Sequence, residues 1–279
     1  MGAASSAAAA GLGARNPELL LVLGLAGAAM AAAQRALAGD SPASLAGATL
    51  APLLVVAALL DGAFASAVPL ARGGLAIGAA CWALVELARP TTSPLVALLP
   101  ATIAAILSPA YVALVVIAGA RLITAPWQRP RWAIAVPILG VLALVLAAIA
   151  CLATHGALAS LADAWSASPR APIAPQAFAE HLALALGPIA AIAALCGLPA
   201  LVRPRHAEVA AVAIVVASLA LSARAGAIDP AVVGVSALCA GLAVGRLAGT
   251  IRVPTGQAFA GAVTAALVLA APVLAVLSR

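Results

Sequence analysis

The segment that most limits what this chain can become runs from Leu95 to Trp132, LVALLPATIAAILSPAYVALVVIAGARLITAPWQRPRW. Leu95 to Ala120 carries no charge, and Arg121, Arg129 and Arg131 follow at once. A run of that length crosses a hydrocarbon core of about 30 Å, and arginines at one end anchor it on the cytoplasmic side. The rest of the chain has the same character. Of its 279 residues, 66% are hydrophobic and 8% charged, where soluble domains carry about 25% charged residues. A water-soluble fold cannot hide so much apolar surface. The composition therefore predicts lipid as the solvent.

All 14 basic residues are arginine, and the net charge is +6. They sit singly or in pairs at the ends of apolar runs, with no basic stripe and no interleaved aromatics. That argues against nucleic acid and for the charge asymmetry of membrane loops. Arginine without lysine, together with heavy Ala, Gly and Val usage, points to a GC-rich bacterial genome and to multi-pass insertion in a bacterial inner membrane. Cys81, Cys151, Cys196 and Cys239 fall in four different apolar runs with no CxxC spacing, so they read as small buried hydrophobes.

Taken in order, the chain reads as one all-α membrane domain over residues 1–279, with a flexible N-terminus at 1–16. The apolar runs are Leu19–Ala33, Leu45–Val68, Gly73–Ala88, Leu95–Ala120, Ala133–Ala153, Ala177–Val202, Ala207–Ser222, Ala231–Ala248 and Gln257–Leu277. That predicts a helical bundle of about nine spans. The count becomes ten if Ser108-Pro109 splits the fourth run into two helices. Asp61 lies inside the second run, where it either lines a cavity or marks a polar break. Glu86 has Arg89 beside it as an ion-pair partner or a route to the interface. Between the fifth and sixth runs lies an outer loop, residues 154–176. Within it Leu158, Leu161 and Trp165 share one helical face, which predicts a short interfacial helix near 156–166 with Trp165 at headgroup depth. RPRW at Arg129 and RPRH at Arg203 open two runs alike. They are either a parallel repeat or one basic turn used twice, and the runs before them do not keep register.

Three loops hold Arg121/Arg129/Arg131, Arg203/Arg205 and Arg246/Arg252, and the arginine bias places them on the cytoplasmic side. Nine spans then put the N-terminus inside and the turn carrying Asp40 outside. Ten spans put the N-terminus outside.

No HExxH, Walker loop or GxSxG elbow is present, so no metal or other cofactor is expected. The ionisable groups left for the outer side are Asp40 (on the nine-span count), His155, Asp163, Glu180, His181 and Arg224, with Arg170 and Asp229 in the same loops. They read either as solvated loop charges and helix caps or as a site at the outer face. In such a site an acid or histidine serves as general base and an arginine holds an anionic leaving group.

LVALLPATIAAILSPAYVALVVIAGARL followed by RPRWAIAVPILGVLALVLA resembles the middle of polyprenyl-phosphate-dependent membrane glycosyltransferases of the GT-C type. The Trp165 segment and HLALALGPIAAIAALCGLPALVRPRH resemble the same family. The likeness covers roughly Leu95 to Arg252 and lies in the rhythm of short helix, proline break, helix, basic turn and long span. It implies a glycosyltransferase-related protein acting on a lipid-linked sugar at the outer membrane face. Asp40 would then be the catalytic acid, and Arg224 would stand near the lipid phosphate. The family's long acidic first outer loop is missing, for only RALAGDSPAS stands there. Two other readings remain open. One is a transporter with its pathway near Asp61 and Glu86 and with proline-broken fourth and sixth runs. The other is a non-catalytic scaffold docking through its glycine-rich eighth run.

Overall fold

The computed structural model describes residues 17–39, 41–60, 67–89, 94–124, 146, 165, 174–202, 206–225, 230–251 and 253–277. Among them every regular element is helical: α1 (Pro17–Ala38), α2 (Pro42–Leu60), α3 (Ala67–Ala88), α4 (Pro94–Leu107), α5 (Val112–Thr124), α6 (Pro175–Leu186), α7 (Pro188–Gly197), α8 (His206–Ala225), α9 (Pro230–Gly249) and α10 (Pro254–Leu277). Short 3-10 turns at Pro109–Tyr111 and Leu198–Ala200 follow α4 and α7. Seven of the ten helices start on a proline. At the first helical position the missing N–H has no intrahelical partner to lose, and the fixed φ already suits a helix. The prolines thus act as start signals.

Helix contacts fix the directions. Gly74 and Gly78 of α3 pack on Val22 and Ala26 of α1, so those two helices run in parallel. Gly73 meets Pro230, and Gly234 meets Ile77, so α9 runs with α3. Gly47 of α2 meets Gly241 of α9, while Ala43 and Ser44 meet Gly245, so α2 runs against α9. The ends of α1, α3 and α9 therefore gather with the start of α2 at one end of the bundle. Arg35, Arg89 and Arg246 belong to that end, which is called the arginine end below.

The fourth apolar run is two helices, and they form a hairpin. A straight helix from Pro94 to Arg121 would separate its ends by about 40 Å at 1.5 Å per residue. Instead the Arg121 guanidinium donates to the carbonyls of Glu86 (2.9 Å), Leu87 (2.7 Å) and Arg89 at the C-terminus of α3. The short link from Arg89 to Pro94 reaches at most about 17 Å. So α4 leaves the arginine end and α5 returns to it. The turn is made at Ser108, whose Oγ accepts from the Ala110 N–H, and the following 3-10 turn packs on α8. Arg121 is 5% exposed. Its charge faces the negative end of the α3 dipole and satisfies carbonyls that a helix C-terminus leaves without partners.

The sixth run is also broken. Gln176–Leu184 and Pro188–Ala200 are bent by 111° at Gly187, which has φ 84°. A side chain is strained there, and Pro188 cannot continue a helix that precedes it. Gly197 backs onto the Cys239 carbonyl and Ala200 lies by Gly245 and Arg246, so α7 runs parallel to α9. The bend then lays α6 nearly crosswise, at the end of the bundle where α9 begins.

The core is built largely from small side chains. Ala33, Ala51, Ala79, Ala97, Ala237 and Ala240 are fully enclosed, around larger anchors such as Met30, Leu50, Leu84 and Tyr111. Small residues let helix backbones approach until dispersion contact is extensive, which is how helices associate where water supplies no driving force. Large apolar side chains point outward instead, among them Leu53, Val116, Ile192, Val216 and Phe259.

Two described helices are long and apolar enough to cross a membrane, Leu21–Ala38 and Pro230–Gly249, or three counting the bent α6–α7 pair as one. Shorter apolar stretches occupy Pro42–Val56, Val96–Leu107, Pro109–Arg121, Ala207–Ser222 and Pro254–Ala270. Nine full spans are not what the described helices display. The fifth run other than Leu146, Asp61, and the expected interfacial helix other than Trp165 lie outside the described residues.

Candidate functional site

The break at Gly187 opens a groove. Between crosswise α6 and the α7–α8–α9 wall lies a cavity of about 120 Å³, lined by Phe178, Leu182, Leu195, Val215, Leu219 and Val235, with Ser218, Ser236 and Cys239 among the other lining residues. The residues follow from helical spacing. Phe178 and Leu182 are one turn apart on α6, Val215 and Leu219 one turn apart on α8, and Val232, Val235, Ser236 and Cys239 one face of α9. The lining is dominated by hydrocarbon, and Leu195 and Leu219 are also exposed on the outside of the bundle. Such a slot takes an apolar chain from the side.

Polar groups lie on the helices that form its rim. Glu180 stands between Phe178 and Leu182 on α6, exposed, its Oε1 accepting from the Gln176 Nε2 one turn earlier at 3.3 Å. His181 is the next residue of α6. Arg224 is the penultimate residue of α8, which runs from the arginine end toward the end where α9 begins. The fold thus brings the positions of Glu180, His181 and Arg224 to one end of the bundle. His155 and Asp163 lie outside the described residues. Trp165, which follows Asp163 closely, is helical and exposed, and its Nε1 donates to the Ile106 carbonyl at 3.0 Å, near the tip of the α4–α5 hairpin.

Asp40 is itself outside the described residues. Its neighbours are not: Ser41 lines a pocket with Leu37, Ala38, Gly245 and Arg246 at the arginine end. That is the opposite end of the bundle from Glu180, His181 and Arg224. Gly39 and Ser41, the described neighbours of Asp40, thus lie away from the α6 rim.

Glu86 is 1% exposed and pairs through Oε1 with Arg89 Nη1 at 3.3 Å, as its spacing predicted. Its Oε2 and the Trp82 Nε1 one turn earlier are enclosed without hydrogen-bond partners among the described groups. Among the described residues no three His, Cys, Asp or Glu side chains cluster to hold a metal.

Two features escaped the sequence reading. The groove had one signal, the Leu186-Gly187-Pro188 triplet inside the proline-broken sixth run. The capping role of Arg121 had none, because an arginine closing an apolar run looks the same whether it faces water or a helix end. No family model, curated protein or solved structure matches the chain.

Proposed function

We propose that the chain is a multi-pass membrane protein that binds a lipid-linked sugar by its hydrocarbon tail and acts on it at the outer membrane face, as a relative of GT-C type glycosyltransferases. The observation that carries this is the apolar groove opening sideways beside Glu180, His181 and Arg224. A membrane enzyme for a polyprenyl-phosphate substrate needs a slot for the prenyl chain at hydrocarbon depth and polar groups above it. The arginine end, by the charge asymmetry, is cytoplasmic. The groove and the start of α1 then lie at the outer side, and the α4–α5 hairpin enters and leaves on the cytoplasmic side. In this reading Arg224 holds the phosphate as it leaves, and Glu180 or His181 takes the proton from the acceptor hydroxyl, a role typically worth about 10²–10⁴ in rate.

The test uses purified full-length protein with a polyprenyl phosphate carrying a photoreactive group on its tail. Crosslinks should concentrate on the peptides holding Leu195, Leu219 and Cys239, and Leu219→Trp should remove them. Transfer from a polyprenyl-phosphate sugar should fall about 100-fold or more in Glu180→Gln or His181→Gln. Crosslinks spread evenly round the bundle would sink the lipid assignment. Specific crosslinks with no transfer would leave a lipid-binding protein and remove the enzyme.

A transporter is the second reading, favoured by the α4–α5 hairpin and the broken α6–α7 pair, since discontinuous helices build transport sites. It requires a path from Glu86 across the bundle. Uptake of the lipid-linked sugar into vesicles that is lost in Glu86→Gln and kept in Glu180→Gln would select it.

A further inference from the structure

A second cavity lies at the arginine end, away from the groove. It measures about 90 Å³ and sits among the last turn of α1, the first turn of α2, the 3-10 turn after α7 and the last turns of α9. Its polar lining is Ser41, Ser44 and Arg246, and among the described residues no acidic side chain lines it. The hydrogen bonds leave donors to spare. Ser44 Oγ gives its hydrogen to the Ser41 carbonyl at 2.8 Å, and Ser41 Oγ accepts from the Ser44 N–H at 3.1 Å, which leaves the Ser41 hydroxyl hydrogen to donate. Arg246 is exposed, and among the described groups its guanidinium makes one long contact, Nη2 to the Pro199 carbonyl at 3.5 Å.

Beneath the cavity lies an independent sign of unmet polarity. One turn deeper on each of α1, α2 and α9 are Gln34, Gly47 and Gly241. The Gln34 carboxamide is fully enclosed there, and neither its Nε2 nor its Oε1 has a hydrogen-bond partner among the described groups.

We propose that this cavity binds a phosphate group, with Arg246 as its charge partner and Ser41 as a neutral donor. The guanidinium presents several N–H groups in a plane that matches phosphate oxygens. Anionic phosphate of this kind has two sources at a cytoplasmic membrane face, a lipid headgroup and free phosphate, and basic pockets between helices on that face suit the first. Asp40 stands between Gly39 and Ser41 in the chain and is the acid closest in sequence to the lining.

The test is native mass spectrometry of the full chain in detergent, titrated with phosphatidylglycerol and, separately, with inorganic phosphate. Arg246→Gln should weaken binding about 10- to 100-fold, the loss of one or two charge-assisted hydrogen bonds. Arg246→Lys should keep most of it, and Asp40→Asn should tighten it. Leu219→Trp, which fills the distant groove, should leave the binding of inorganic phosphate unchanged. Lipid adducts that inorganic phosphate does not displace identify a headgroup site. Binding of inorganic phosphate alone with the same Arg246 dependence identifies the free ion. Equal binding of both ligands by wild type and Arg246→Gln overturns the proposal. Should Arg246→Gln misfold, Ser41→Ala takes its place, and unchanged binding there has the same meaning.

Discussion

Two stretches of α9 face opposite fates. At Gly241 the backbone of α2 comes so close that a Cβ would lie 2.8 Å from the Gly47 carbonyl oxygen and 2.9 Å from the Gln34 amide. Barely a turn and a half earlier, Ser236 and Cys239 border an open apolar groove. Both stretches belong to one helix with one small-residue composition. What differs is the partner. Helix α2 is continuous and lies along α9, so glycine on both sides lets backbone meet backbone. The α6–α7 pair is broken at Gly187, and its first half is turned away. A cavity in such a bundle marks the place where a neighbouring helix stops.

That contrast can be broken by giving the two sides the same substitution. Gly241→Leu should cost about 3 kcal/mol or more, at or beyond the usual range for overpacking, because the obstructing atoms are backbone and cannot rotate away. Ser236→Leu should cost under about 1 kcal/mol, since the groove has room. Thermal melts in detergent measure both, and equal losses would mean that the groove is as rigid as the seam. Next comes Arg121→Met, expected to cost about 3 kcal/mol, because several enclosed carbonyls at about 1–3 kcal/mol each lose their donors. Protease cleavage near Ser108 should rise with it. Gly187→Ala forces a side chain into the φ 84° conformation, at about 1–3 kcal/mol. Lipid crosslinking in the groove should fall further than stability does. The smallest effect has the opposite sign. Gln34→Met replaces an unpartnered carboxamide with an apolar chain of similar size and should stabilise the seam by about 1 kcal/mol. A loss of stability would show that Gln34 has a partner after all.

Much of the helical layout was legible. Pro17, Pro42, Pro94, Pro175, Pro230 and Pro254 mark helix starts with one local signal, and Ser108-Pro109 announced the break that became a hairpin turn. The pairing of Glu86 with Arg89 followed from spacing alone. Side-by-side order was less accessible. A hydropathy run shows how long a segment is but not whether it crosses or returns, and that choice rests on Arg121 meeting the end of α3, a contact between residues more than thirty apart. The same choice set the reading of Asp40. Counted as a single crossing, the Leu95–Ala120 run puts the first turn opposite the arginines, whereas the hairpin puts that turn among them. Glu180 and His181 were picked out as ionisable groups, and the fold places both positions on α6. The groove beneath them depends on a bend that proline and glycine permit and that only the packing of α7 on α9 selects.

The hairpin also sets an order of assembly. Its tip rests on α8, an element synthesised later. A ribosome making about 5–20 residues per second needs roughly 5–20 s to travel from Tyr111 to the start of α8. For that interval the turn at the hairpin tip lacks its α8 neighbours, although α4 already packs along α3 and Trp165, once made, reaches the Ile106 carbonyl. The arrival of His206–Ala225 then covers the tip. Nascent chains halted before His206 should expose Ser108 to protease, while chains released after Gly249 should protect it.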